Sequence, residues 1–314
     1  MKAITLEKFG GVENFKIQNL PMPTISENEV LVKVKAFSVN PVDVKTRVGG
    51  SLAKELENDP PIILGWDISG TIEEVGANVT NFKVGDEVFG MVKFGQSAKA
   101  YAEYVAAPAD HLALKPANIT HPQAAASTLA ALTAWQALTY FGKLKQNDTI
   151  LIHAAAGGVG HFAVQIAKHL GANVIGTSSE KNKEFVLSLG ANEHIDYRST
   201  KFEDVVSDID FVLETMGYEN FGRSIDVLKP TGTIINLPSG LSDEVKAKAI
   251  QKGVNANFFM TVFSDSHDIN TIASLLQSNI LTPYISHQYS FEEIGAAHTQ
   301  MESGSTVGKI VVLV

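Results

Sequence analysis

A glycine-rich turn in the middle of the chain has the residue types and the spacing that bind a phosphate group. The apolar run Ile150–Ile152, followed by His153, is typical of a strand buried on both faces. It leads directly into Ala154-x-x-Gly157-x-x-Gly160 and then into an apolar stripe at helical spacing. Glycines let backbone N–H groups approach a pyrophosphate, and the N-terminus of the following helix attracts its negative charge. A second strand, Asn173–Thr177, follows at the spacing of a dinucleotide-binding βαβ unit. The sequence therefore predicts a dinucleotide site, with Ala154 standing where the strict pattern has its first glycine.

The residues after this second strand indicate which dinucleotide is bound. An NAD site usually presents an acidic residue to the ribose 2′-hydroxyl at this point. Here the chain reads Gly176-Thr177-Ser178-Ser179-Glu180-Lys181-Asn182-Lys183, in which hydroxyls come first and lysines follow. Hydroxyls and lysines suit a 2′-phosphate, which favours NADPH. The alternative is that Ser179 caps a helix and that the lysines are solvated.

Composition limits the class of protein. A chain of 314 residues is long enough for two domains, and 45% hydrophobic with 19% charged residues is typical of a globular protein. A net charge of −9 argues against a nucleic-acid or anionic membrane partner. The absence of cysteine excludes disulfides, thiolate catalysis and cysteine-ligated zinc. Because we find no apolar run near the ~18 residues of a membrane span and no signal-peptide layout, we expect a cytoplasmic protein.

The hydrophobic pattern predicts two architectures in succession. Short strands separated by glycine and asparagine turns occupy the first part of the chain, which indicates a partly open β-barrel with an irregular loop at Gly49–Pro61. A long helix is predicted over Gln123–Phe141, and strands and helices alternate from Thr149 to Val262, which predicts a doubly wound parallel sheet of about six strands. The apolar segment Lys309–Val314 is expected to return to the sheet of the first domain. The predicted fold class is therefore α/β, with a β-rich domain at 1–123 and 267–314 and a Rossmann domain at 124–266.

Several segments resemble one known family along essentially the whole chain. They are Ser38–Asp43, Leu64–Gly70, Phe82–Gly90, Leu132–Trp135, His153–Gly160 and Gly308–Val311. The chain resembles the zinc-independent, zeta-crystallin-like quinone oxidoreductases of the medium-chain dehydrogenase/reductase superfamily. The resemblance implies a GroES-like barrel domain beside the Rossmann domain.

The resemblance also implies that no metal is bound. Asn40 stands where the zinc enzymes of the superfamily have their first cysteine ligand, Trp66 where they have histidine, and Leu129 near the third ligand. An acceptor reduced without a metal must already be electrophilic. The implied function is an NADPH-dependent, zinc-independent reductase that transfers a hydride to a quinone or an α,β-unsaturated carbonyl. The alternatives are a 2-enoyl-thioester reductase and an NADPH-binding protein with little turnover.

Two residues are predicted to be catalytic. The resemblance points to Asn40, whose amide would contact the substrate or the nicotinamide ribose, although Asn-Pro is also a common turn. Asp43 would orient Asn40 or a nearby backbone group, or would only cap a helix or form a salt bridge.

The predicted cofactor contacts come from the turn, from the end of the second strand and from the resemblance. They are Asn40, Thr133, Ala156, Gly157, Gly158, Val159, Thr177, Ser178, Ser179, Lys183, Tyr197, Leu237, Pro238, Ser239, Phe259 and Lys309. Phe259 has core packing or a dimer contact as its alternative role, and Lys309 has the capping of a turn. The expected partner is a small quinone or enone, without nucleic acid or membrane. A homodimer is expected through the edge strand predicted at Asn257–Val262.

Overall fold

The computed structural model of the chain describes residues 1–238 and 240–314. The chain forms two compact units, which are Met1–Leu132 with Phe263–Val314, and Thr133–Val262. We call them unit 1 and unit 2. The predicted boundaries lie at 123/124 and 266/267, whereas the structure divides the chain at 132/133 and 262/263.

The N-terminal part of the chain is rich in strands. They are β1 (Lys2–Leu6), β2 (Phe15–Asn19), β3 (Glu29–Val39), β4 (Asp67–Val75), β5 (Glu87–Met91), β6 (Tyr104–Pro108) and β7 (Leu112–Leu114). The helices are α1 (Pro41–Arg47), α2 (Ala53–Glu57), α3 (His121–Ala126) and α4 (Leu129–Gln136), the last crossing the unit boundary and continuing as a π-helical turn at Ala137–Phe141.

Unit 2 alternates strands with helices. The strands are β8 (Thr149–Ile152), β9 (Asn173–Ser178), β10 (Glu193–Asp196), β11 (Ile209–Glu214), β12 (Leu228–Asn236) and β13 (Asn255–Asn257). The helices are α5 (Gly160–His169), α6 (Lys183–Ser188), α7 (Tyr218–Val227) and α8 (Asp243–Lys252). All six strands pair in parallel in the order β10-β9-β8-β11-β12-β13. This order confirms the predicted doubly wound sheet, in which ligands bind where the order reverses at β8.

The last part of the chain returns to unit 1 and completes its sheet. It contains α9 (Ser266–Gln277), β14 (Ile285–Ser290), α10 (Ile294–Glu302) and β15 (Lys309–Leu313). The resulting seven-stranded sheet has the order β14-β15-β3-β4-β5-β7, with β6 also paired to β3. The antiparallel pairing of β15 with β3 sets Ile310 opposite Val39, which confirms the predicted return and brings Lys309 beside Asn40.

The predicted loop and the predicted long helix differ from the structure. Residues 49–61 contain α2, because Ala53 and Leu56 are buried on one face of a short helix. The long helix is interrupted between α3 and α4, where the hydroxyls of Ser127 and Thr128 donate to the carbonyls of Gln123 and Ala125. Such local side-chain bonds compete with helix continuation.

The predicted strand Asn257–Val262 is also wrong in its extent. The edge strand β13 ends at Asn257, and the segment that follows it has no regular secondary structure. Asn257 instead turns its side chain onto the backbone N–H of Phe259, at 3.2 Å.

None of the helices in the described ranges is both long enough and apolar enough to cross a membrane.

Candidate functional site

The turn between β8 and α5 leaves backbone N–H groups without partners. Ala155 donates to the carbonyl of Thr177, and Gly157 donates to the carbonyl of Ala154. The N–H groups of Ala156, Gly158 and Val159 make no hydrogen bond within residues 1–238 and 240–314. They lie directly before α5, a helix of ten residues. Three free donors at a helix N-terminus fit the pyrophosphate of a dinucleotide.

Gly160 allows the helix to approach the strand closely. A Cβ atom on Gly160 would lie 2.1 Å from the carbonyl oxygen of Ala154 and 2.8 Å from the Cα of Ala155. Gly176 on β9 is similarly crowded, because its Cβ would lie 2.9 Å from that of Ala155. Gly160 of the motif and Gly176 of β9 therefore allow close packing between β8, β9 and α5.

Ala154 adopts the left-handed backbone conformation that the strict motif assigns to glycine, with φ of 48°. This conformation costs a non-glycine residue ~1–2 kcal/mol, which glycine would avoid. Glycine would also give the unfolded chain more conformational freedom, and this offsets part of the stabilisation. We expect Ala154→Gly to stabilise the protein by about 0.5 kcal/mol, measured as a small rise in Tm. A fall in Tm would contradict this account of the backbone.

The end of β9 brings together the residues predicted to contact a 2′-phosphate. Ser178 Oγ lies 2.8 Å from His194 Nε2, and the carbonyl of Ser178 accepts the N–H of Tyr197 at 3.2 Å. The Arg198 guanidinium lies 5.8 Å from the centre of the Tyr197 ring. Lys183 is half-exposed and lies 3.5 Å from Glu180. The structure thus places Tyr197 and His194 against the buried Ser178 and Arg198 against Tyr197, whereas the contact of Lys183 is with Glu180.

Two neighbouring residues of this group have structural contacts. The Thr177 hydroxyl lies 3.2 Å from His153 Nδ1 in the interior. Ser179 Oγ accepts a hydrogen bond from Asn182, which holds a 3₁₀ turn at Glu180–Asn182 before α6. Helix α6 therefore begins at Lys183, after this turn.

We expect Lys183→Ala to raise the Kd for NADPH about 5- to 20-fold and to leave the Kd for NADH unchanged. The reason is the loss of a cation that would pair with the 2′-phosphate. Nicotinamide fluorescence on titration gives both constants. Lys145→Ala is the control, because Lys145 precedes β8 at the opposite end of that strand. An equal loss for both cofactors would contradict the assignment.

A buried carboxylate that the sequence analysis missed organises the segment after β11. Glu214 is fully buried, and its Oε1 accepts the N–H groups of Met216 and Gly217 at 2.7 and 3.1 Å. Its Oε2 accepts hydrogen bonds from Asn220 and Ser224. Glu214 therefore fixes the loop at the carboxyl edge of the sheet, where cofactors bind in this architecture.

His153 belongs to the same network. Its Nε2 lies 2.9 Å from Ser224 Oγ, and burial lowers the pKa of its imidazole. These contacts give His153 a structural role.

The remaining predicted contacts of unit 2 lie on separate segments. Leu237 and Pro238 are partly buried after β12, and the N–H of Leu237 donates to the carbonyl of Glu214. Ser239 lies outside the described residues. Phe259 is exposed, whereas its neighbour Phe258 packs against the core. Thr133 is buried in α4.

In unit 1, Asn40 is held by two buried charged residues. Its Nδ2 donates to Asp67 Oδ2 at 2.7 Å, and its Oδ1 accepts from the Lys309 ammonium. Asp67 also accepts the Ser38 hydroxyl at 2.6 Å and the backbone N–H of Leu129 at 3.0 Å. Lys309 was predicted to reach the cofactor phosphates or to cap a turn; its ammonium instead faces Asn40 and the carbonyl of Val39.

Asp43 caps the helix that follows Asn40. Its Oδ2 accepts the backbone N–H of Asn40 at 2.6 Å, whereas its Oδ1 has no hydrogen-bond partner within the described ranges. Burial raises the pKa of Asp43 to about 8; the Asn40 N–H lowers it, the Asp67 carboxylate raises it and the Lys309 ammonium lowers it. The capping role that was one of its alternatives is present, and a catalytic role for Asp43 stays a prediction.

Tyr101 and Lys309 both affect the Asp43 carboxyl, and Tyr101 in turn contacts His298. The Tyr101 hydroxyl lowers the pKa of Asp43, and it also lies 3.1 Å from His298 Nε2. Burial lowers the pKa of His298 to about 3, so its imidazole is neutral. Burial also lowers the pKa of Lys309.

The residues that stand at the zinc-ligand positions of the superfamily do not fit a metal. Asn40 is engaged as described, the Trp66 indole donates to the carbonyl of Gln96 at 2.8 Å, and Leu129 offers only an aliphatic side chain. Zinc takes thiolate, imidazole or carboxylate ligands, which these side chains do not supply.

Two family models match the chain. Residues 26–117 match the alcohol dehydrogenase GroES-like domain, and residues 189–312 match a zinc-binding dehydrogenase domain.

Similar proteins cover nearly the whole chain. The chain is 32% identical to human quinone oxidoreductase, covering 100% of this chain and 98% of the relative. It is 32% identical to the 2-methylene-furan-3-one reductase of Solanum lycopersicum, covering 99% and 79% respectively.

Solved structures are similar throughout. The quinone oxidoreductase from Coxiella burnetii superposes with a TM-score of 0.94 at 38% identity, covering 100% of this chain and 99% of that one. The Escherichia coli quinone oxidoreductase complexed with NADPH superposes with a TM-score of 0.86 at 28% identity and covers 100% of both chains.

Proposed function

Because the chain belongs to the zinc-independent quinone oxidoreductase branch of the medium-chain dehydrogenase/reductase superfamily, we propose that this oxidoreductase uses NADPH to reduce a quinone or an α,β-unsaturated carbonyl. The observation that carries the proposal is the set of three unpartnered backbone N–H groups before α5. They suit a dinucleotide, and the group of Ser178, Lys183, Tyr197 and Arg198 supports the 2′-phosphate that distinguishes NADPH.

Different residues of the chain have different roles in the proposed reaction. When bound, the reduced nicotinamide supplies the hydride. Glu214 and the glycine-rich turn hold the dinucleotide-binding segments in place. Asn40 is the residue that we propose donates a hydrogen bond to the acceptor carbonyl, where negative charge develops. Solvent supplies the proton that completes the reduction.

The test is oxidation of NADPH and of NADH, followed by nicotinamide absorbance, against quinones, enones and 2-enoyl thioesters. We expect turnover with NADPH and a quinone or enone. Turnover with enoyl thioesters alone would identify the thioester reductase instead. Binding of NADPH without turnover of any acceptor would identify a binding protein.

We also propose that the protein is a homodimer. Of the two edges of the six-stranded sheet, β10 and β13, we propose that β13 pairs with its copy in the partner. A monomeric mass in light scattering at micromolar concentration would contradict this.

A further inference from the structure

We propose that Asp67 and Lys309 are positioning residues for the reduction, because together they hold the Asn40 amide in one of its two possible orientations. This inference rests on the proposed function, in which Asn40 donates a hydrogen bond to the acceptor carbonyl.

The orientation follows from charge. Rotating an asparagine amide by half a turn exchanges its oxygen with its NH₂ group. In the structure the NH₂ group faces the Asp67 carboxylate and the oxygen faces the Lys309 ammonium. The rotated amide would set its oxygen against a carboxylate and its NH₂ group against an ammonium, so both contacts would be repulsive.

Water cannot replace the partners that the rotated amide would lose, because all three residues are buried. Asn40, Asp67 and Lys309 are 2%, 0% and 2% exposed. Buried polar groups without partners are costly, so the rotated amide is strongly disfavoured.

Both charged residues are themselves fixed. The Ser38 hydroxyl and the Leu129 N–H hold the carboxylate of Asp67 from two directions. Lys309 begins β15, which pairs with β3, and its ammonium also lies 3.4 Å from the carbonyl of Val39. The Lys309 ammonium and the Asp67 carboxylate lie 3.9 Å apart, so their opposite charges balance each other.

The fixed orientation leaves one donor for a ligand. An NH₂ group has two hydrogens; Asp67 accepts one, and no acceptor in the described parts of the chain takes the other. The Lys309 ammonium draws electron density toward Oδ1, which strengthens the remaining N–H as a donor. A stronger donor stabilises charge that develops on a carbonyl oxygen.

The experiment compares Lys309→Met, Asp67→Asn and the double variant with Asn40→Ala. We expect Asn40→Ala and both single variants to lower kcat by about 10- to 100-fold, with KM and the Kd for NADPH changed by less than about threefold. The double variant restores charge balance and folding stability, so it controls for the unpaired buried charge. Its kcat should stay low, because nothing then selects the amide orientation.

Arg47→Met is the matched control. Arg47 is also a buried cation of unit 1, bonded to Glu302 and to the carbonyl of Gly10, and it makes no hydrogen bond to Asn40, Asp67 or Lys309. The Arg47→Met variant should be less stable than the wild type and should keep a kcat within about twofold of it.

A second measurement does not depend on turnover. The side-chain amide signals of Asn40 in a ¹H–¹⁵N NMR spectrum, assigned by their absence in Asn40→Ala, should shift and exchange faster with solvent in Lys309→Met and in the double variant. Arg47→Met should leave them unchanged. If Lys309→Met matched Arg47→Met in both kcat and amide signals, the positioning role would be overturned. If wild type reduced no acceptor, the proposed function would fail, while the amide signals would still decide the orientation.

Discussion

The D43N variant should gain stability over the wild type as pH rises, by about 1.4 kcal/mol for each pH unit between 5.5 and 7.5. The unfolded Asp43 carboxyl loses its proton near its ordinary pKa, about 3.9. In the folded protein its pKa is about 8, raised by burial first and by Asp67 in addition. Between these values the folded state binds one proton more than the unfolded state, so wild-type stability falls as pH rises. Asparagine mimics the protonated carboxyl and does not titrate.

The measurement is the difference in Tm between D43N and the wild type from pH 5.5 to 8.5. The difference should grow by roughly 5–10 °C and then level off above about pH 8. His298 has a folded pKa of about 3, and its unfolded form titrates equally in both proteins, so it cancels.

Asp86→Asn is the matched control for this titration. The Lys83 side chain lowers the pKa of Asp86, so its contribution is lost only as pH falls below the ordinary aspartate range. The difference in Tm between Asp86→Asn and the wild type should not change over pH 5.5–8.5. A flat difference for D43N as well would show that Asp43 is ionised in the native protein.

Gly160→Ala should weaken NADPH binding by roughly 10- to 100-fold and lower Tm. The new Cβ would lie 2.1 Å from the carbonyl oxygen of Ala154, and that oxygen belongs to the backbone of the phosphate-binding turn. No side-chain rotation relieves such a contact, so α5 must move away from β8. Moving the helix start displaces the free N–H groups of Gly158 and Val159 from their positions around the pyrophosphate.

Gly222→Ala separates this effect from substitution as such. Gly222 lies within α7, and its Cβ would meet only Val245 Cγ2, at 3.8 Å. Alanine is favoured over glycine in a helix, so this variant should be as stable as the wild type or slightly more so. Isothermal titration with NADPH compares the two variants. Unchanged affinity in Gly160→Ala would place the pyrophosphate elsewhere.

Local patterns in the sequence predicted the glycine-rich turn between β8 and α5 and the return of the last strand. The run from Ile150 to Gly160 could be interpreted from its local sequence alone, because the strand, the turn and the start of the helix follow one another in the chain. The apolar segment from Lys309 has nowhere to be buried except in a sheet. Both predictions depend on short stretches of chain.

The residues that were missed depend on contacts between distant segments. Asp67 and Glu214 sit in apolar strands, and a single carboxylate in a strand has no periodicity that indicates a partner. The role of Asp67 follows only when β3, β4 and β15 are adjacent, which joins residues 269 positions apart. Arg198 similarly joins the Ser178 group only through the pairing of β10 with β9.

The late position of β15 in the sequence affects the order in which the two units fold during synthesis. Lys309 is the buried cation that balances Asp67, yet the ribosome makes it after the whole of unit 2. Until then, the nascent first unit holds a carboxylate that lacks its counter-ion and a β3 edge that lacks its partner strand. Unit 2 is continuous in sequence and has every strand of its sheet beforehand. Folding during translation should therefore finish the nucleotide-binding half first, and the half that carries Asn40 last.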